Sequence, residues 1–131
     1  MKYICFGYYN EESWGKMSES EQQRFMDECF AYDDVLKKNG QIRGEALQSA
    51  QNAKTLRLKN GKVAITDGPF AETKEQIGGF LSFEARDMDE AVRLISKHPG
   101  LKAGPFEIRA VDDMTEVIRE SERRRSKNQK A

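Results

Sequence analysis

Histidine is almost missing from this chain: His98 is the only one in 131 residues, and cysteine occurs just twice, at Cys5 and Cys29. So few ligands cannot furnish an ordinary zinc site, and no metal is expected; only carboxylate-bound metal stays open. The two cysteines lie far apart in apolar-periodic segments, without a C-x-x-C pair, and read as buried thiols rather than as a disulfide or redox couple. Excess charge is missing too, since 22 basic and 22 acidic side chains cancel. That removes the basic footprint of a dedicated nucleic-acid binder. No apolar run approaches the roughly 18 residues of a membrane span, and the opening Met1 to Phe6 meets polar sequence too soon for a secretory signal, so a cytoplasmic protein is expected. Neither G-x-G-x-x-G nor G-x-x-x-x-G-K-[ST] occurs, and no cofactor is implied; Gly78-Gly79 reads as close backbone packing. A Ser-His-Asp triad would have only His98 to use, and no serine stands in a nucleophile-elbow context.

What is present is enough for one core. Apolar residues make up 37% and charged residues 34%, a composition that excludes global disorder, and a chain of this length buries roughly two-thirds of its unfolded surface. Lys2 to Tyr9 reads as a strand with bulk on both faces: Ile4, Phe6 and Tyr8 on one, Tyr3, Cys5 and Tyr9 on the other. Asn10 to Met17 is polar, contains Gly15 and reads as a loop around Trp14. Ser18 and Glu21 form a capping box before Phe25, Cys29, Tyr32 and Leu36, which predicts a helix to about Asn39 with Gly40 as a left-handed stop. Gln41 to Leu47 can return as a strand. Asn60-Gly61, between Lys54 to Leu58 and Lys62 to Thr66, predicts a hairpin with a type I′ turn.

Gly79 to Ala85 reads as a strand, Asp87 with Glu90 caps a second helix over Met88 to Lys97, and Phe106 to Val111 alternates as a last strand. From Thr115 the chain looks helical. It then becomes a basic tail, Arg123 to Lys130, most simply a solvated segment, with weak nucleic-acid contact as the alternative. The predicted fold is α+β: a ferredoxin-like split βαβ with an extra hairpin in residues 1–112, followed by the helix and tail of residues 113–131. Two helices cover only one face of such a sheet. The apolar groups on the other face of the first strand call for a second copy, so a homodimer is expected.

Candidate residues fall at four places. Asp67 precedes Gly68, able to take positive φ, and Pro69, with φ fixed, so its carboxylate can accept backbone N–H bonds in a tight turn, or bind a ligand or move a proton. Glu72, Lys74 and Glu75 form either a solvated charge run or a cover over a ligand, with Lys74 as its anion partner. His98 is expected at the end of the second helix as a capping residue. If its ring faces a cavity, it is the first candidate for general acid-base work. Arg109, with Glu107 on the same face, reads as an ion pair or as an anion clamp.

The stretch Thr66-Asp67-Gly68-Pro69-Phe70-Ala71-Glu72-Thr73-Lys74-Glu75, with Gly78-Gly79-Phe80, resembles the signature of the DGPF branch of the YCII-related family. Lys2-Tyr3, Asp89-Glu90-Ala91 and Gly104 to Arg109 extend the resemblance over about residues 1–112. It implies a ferredoxin-like subunit pairing into a dimeric α/β barrel. Genes of DGPF-type proteins often lie near extracytoplasmic-function sigma factors, which implies a regulatory context. Relatives in the YCII branch are proposed to use a His and Asp pair, with the Asp in a D-P motif after the second helix. Here His98-Pro99 takes that place, and the first-helix His of that branch has no match, so the resemblance does not carry the pair over.

Three functions are open to the sequence. The leading one is a dimer binding a small polar or anionic molecule in a barrel cavity beside Asp67, His98 and Arg109. The second is a small cofactor-independent enzyme, a lyase or isomerase, moving a proton through His98 or Asp67. The third is a structural interaction module that uses the second sheet face and holds no ligand.

Overall fold

The computed structural model describes residues 1–38 and 40–130. Its strands are β1 (Lys2–Asn10), β2 (Arg43–Ala46), β3 (Lys54–Lys59), β4 (Lys62–Asp67), β5 (Glu75–Glu84) and β6 (Phe106–Ala110). Its helices are α1 (Glu11–Gly15), α2 (Glu19–Lys38), α3 (Met88–Ile95) and α4 (Thr115–Lys130). One sheet has the order β2-β5-β1-β6 with every neighbouring pair antiparallel, which is the ferredoxin-like arrangement expected. The hairpin β3-β4 forms a separate two-stranded sheet.

The local signals explain most of the boundaries. Glu21 N–H donates to Ser18 Oγ at 3.1 Å and Ser18 N–H to Glu21 Oε1 at 3.0 Å, the reciprocal bonds of a capping box at the start of α2. Glu90 N–H donates to Asp87 Oδ1 at 2.9 Å at the start of α3. Asn60 and Gly61 both have positive φ, 51° and 79°, as the type I′ turn requires. Gly40 follows α2 with φ 157°, positive but outside the left-handed helical well expected of it. The expected last residue of that helix, Asn39, lies outside the described residues.

Two expectations are corrected. The segment taken for a loop contains α1, because Asn10 Oδ1 accepts Ser13 N–H at 3.1 Å and so starts a helix, which Gly15 then ends. Trp14 on this helix packs edge-on against Phe25 of α2, with ring centroids 5.6 Å apart. The segment after Thr115 stays helical as far as Lys130, with Glu116–Arg119 and Glu120–Arg123 pairs one turn apart supporting it.

The core lies between one sheet face and two helices: Tyr3, Cys5 and Phe83 from the sheet meet Leu36 of α2 and Ala91 and Ile95 of α3. Directly paired residues share a face, so Ile4, Phe6, Tyr8, Ile77 and Phe80 stand together on the opposite side, none of them fully buried. Among the described residues no helix is long and apolar enough to cross a membrane.

Candidate functional site

On α2, Met26, Cys29, Phe30, Asp33 and Lys37 fall three or four residues apart and therefore form one stripe along the helix. That stripe faces the sheet across a cleft of about 730 Å³, whose other walls include Tyr9, Trp14, Phe25, Leu81 and Phe106. Desolvation sets the thiol chemistry here. Burial raises the Cys5 thiol to about 12. Burial, with Asp33 and Glu28 adding to it, raises Cys29 to about 11, so both stay protonated near neutrality.

His98 enters this cleft from the turn after α3. Its backbone N–H donates to Ile95 O at 2.9 Å, closing that helix, and the residue then caps the short helical turn Pro99–Lys102. Gly100 N–H donates to His98 Nδ1 at 3.0 Å. Nδ1 must therefore present its lone pair, which leaves the proton of the neutral ring on Nε2. Nε2 lies 2.8 Å from Asp33 Oδ1, so this proton is donated to the carboxylate. His98 is 7% exposed, and its ring is held edge-on by Tyr32 at 5.5 Å and tilted against Phe106 at 5.3 Å. Tyr32 is anchored in turn through its hydroxyl to Leu94 O.

Gly100 allows this close approach. A Cβ there would stand 2.6 Å from Phe106 Cζ and 3.0 Å from His98 Nδ1. The Asp33 side chain keeps 22% of its surface exposed, and among the described residues no hydrogen bond reaches its second oxygen, Oδ2. The pair thus consists of a locked neutral imidazole and a carboxylate with one open acceptor atom.

The other predicted residues lie elsewhere. Asp67 ends β4 with its carboxylate 83% exposed and paired with Lys54 Nζ; among the described residues it accepts no backbone N–H, which corrects the expected turn contact. Gly68 does take positive φ, 95°, and donates its N–H to Ala53 O at 2.8 Å. Glu72 and Lys74 are exposed, and the loop around them is tied by Gln76 Nε2 to Ala71 O and Thr73 O. Arg109 Nε and Nη2 both donate to Glu107 Oε2, at 3.2 and 3.1 Å, and Tyr8 hydroxyl donates to Glu107 Oε1 at 3.1 Å. This cluster is on the sheet face that carries Ile4 and Phe6, opposite the side on which Phe106 meets His98. Within one subunit, Arg109 and His98 therefore cannot hold the same small anion.

Asp33 is the residue the sequence reading missed. The available signal was an acid placed four residues after Cys29 on an apolar stripe. A carboxylate there needs a partner, and the sole histidine is the natural one. Among the described residues no cluster of three or more His, Cys, Asp or Glu is gathered as a metal site.

Comparison with known proteins agrees with this fold. A solved structure of 5-chloro-2-hydroxyhydroquinone dehydrochlorinase from Burkholderia phenoliruptrix AC1100, in complex with 2,5-dihydroxybenzoquinone, superposes with a TM-score of 0.50 over 86% of this chain and 94% of that one, at 19% identity. An uncharacterized protein of Rhizobium meliloti (strain 1021) is 34% identical over 93 residues, covering 70% of this chain and 75% of that protein. The YCII-related domain matches residues 1–115, and the chain is a member of the YCII-related family.

Proposed function

We propose that this protein is a small cofactor-independent enzyme of the lyase or isomerase type, which binds a ring-bearing molecule in the cleft under α2 and moves a proton with the Asp33–His98 pair. The carrying observation is the open Oδ2 of a carboxylate whose other oxygen is fixed by a buried imidazole inside an aromatic-walled cleft. In this reading His98 orients and Asp33 acts. The dehydrochlorinase with the same fold acts on a hydroxylated aromatic ring, which makes hydroxyhydroquinone a sensible first probe. Ring-proton exchange in deuterium oxide, followed by NMR, should be faster with the wild-type protein than in buffer alone. It should return to the buffer rate in Asp33→Asn. No acceleration of exchange by the wild-type protein would overturn the assignment.

The same proposal includes a homodimer packed through the face bearing Ile4, Phe6, Tyr8, Ile77 and Phe80. Strand pairing aligns two rows on that face: Arg43, Ser82, Ile4 and Arg109 in one, Glu45, Phe80, Phe6 and Glu107 in the next. One row has basic ends and the other acidic ends. A copy whose strands run the opposite way lays unlike rows over each other, and one whose strands run the same way lays like over like. Sedimentation at micromolar concentration should give twice the 15.0 kDa chain mass. A monomer would refute the packing.

A further inference from the structure

We propose that the cleft selects a neutral, hydroxyl-bearing ring, such as a phenol or enol, and rejects the corresponding anion. This rests on the reading of the Asp33–His98 pair as functional and adds the protonation state of what it receives. Among the described residues the cleft contains one partly buried charge without a neutralising cation, the Asp33 carboxylate, since the ring opposite it accepts Gly100 N–H at Nδ1 and presents its Nε2 proton to the carboxylate. The other charged side chains along the cleft are Asp34 and Lys37, both exposed and of opposite sign, while Arg43 and Glu45 border it from β2 with their side chains on the opposite sheet face. Asp34 and Lys37 cancel one another, and Lys37 Nζ already lies 3.9 Å from Asp34. Cys29, on the next turn of α2, stays neutral because burial, with Asp33 and Glu28, raises its thiol to about 11.

An incoming group thus meets an acceptor-only oxygen with nearby negative charge. A hydroxyl can donate to Oδ2. A phenolate, carboxylate or phosphate has no proton to donate and is repelled by the carboxylate in a partly desolvated site. The apolar walls supplied by Trp14, Phe25, Leu81 and Phe106 suit the ring that carries the hydroxyl.

Asparagine at position 33 makes this directly testable. Its carbonyl oxygen can still accept the His98 Nε2 proton, while its amide nitrogen replaces the Oδ2 acceptor with a donor. Binding of para-nitrophenol, whose absorbance distinguishes phenol from phenolate, should be measured below and above its own ionisation, with benzoate and inorganic phosphate as anionic probes. Wild-type affinity should fall by roughly tenfold or more when para-nitrophenol ionises. Benzoate and phosphate should bind no better than the phenolate. Asp33→Asn should reverse the preference, gaining affinity for phenolate and benzoate, with a thermal unfolding curve checking that the variant folds. Equal wild-type affinity for both forms, tighter binding of benzoate or phosphate, no binding of the neutral phenol, or an unchanged preference in Asp33→Asn would each overturn the inference. Deuterium exchange into hydroxyhydroquinone still judges the proton-transfer reading by itself.

Discussion

Replacing Gly104 with alanine should destabilise the protein by about 3 kcal/mol, read as a large fall in the urea midpoint at unchanged slope. A Cβ at this position would stand 2.1 Å from Tyr8 O and 2.8 Å from Tyr8 C. Both atoms are backbone, so no rotamer change relieves the contact. Tyr8 belongs to β1, whose ladder to β5 and β6 runs along both sides, and its N–H donates to Pro105 O at 3.0 Å. The strand cannot retreat without breaking bonds to a neighbour. A midpoint within experimental error of the wild type would show that the Gly104 turn moves instead.

His98→Ala should cost about 3 kcal/mol and also abolish ring-proton exchange into hydroxyhydroquinone. The substitution empties the space between Tyr32 and Phe106, strands the Gly100 N–H, and leaves the Asp33 carboxylate without its donor. His98→Asn separates these effects. An asparagine before Pro99 is a good helix cap and can accept the Gly100 N–H with its own oxygen, but it is too short to replace Nε2 at Asp33. It should recover roughly half of the lost stability and none of the exchange activity. Equal loss of stability in the two variants would show that the Asp33 bond and ring packing, rather than the cap, dominate; full exchange activity in either would remove His98 from the mechanism.

The fold was legible because its signals are local. The Ser18/Glu21 box, the Asp87 cap and the Asn60-Gly61 turn each state their geometry within a few residues, and each is found as expected. The short α1 is less legible, since Gly15 suits a loop, although Asn10-Glu11-Glu12 spells a helix start. The site was half legible for a different reason. His98 could be noticed as the single histidine, but its partner Asp33 is 65 positions away, and only tertiary packing joins them. Compared with the pair implied by the YCII resemblance, the two residue types are exchanged: the first long helix supplies the acid and the place after α3 supplies the imidazole. A search for the same residues in the same order therefore finds nothing. Asp67 misled in the opposite way, because a turn that fixes a backbone does not oblige the side chain to bond within it, and here Lys54 on the paired strand offers a charge instead.

The placement of β1 also governs how this chain reaches its structure. Its partners are β5 and β6, so Tyr3 lies against Phe83 and Ala110, separated from both by most of the sequence. Closing loops of that length comes before any reward from pairing, which puts the sheet among the slower-forming topologies, whereas the β3-β4 hairpin can close quickly by itself. Until β5 and β6 arrive, a segment carrying Tyr3, Phe6, Tyr8 and Tyr9 has no neighbour on either edge. The central strand is thus the part of the molecule most exposed to wrong association while folding, and the last to become safe from it.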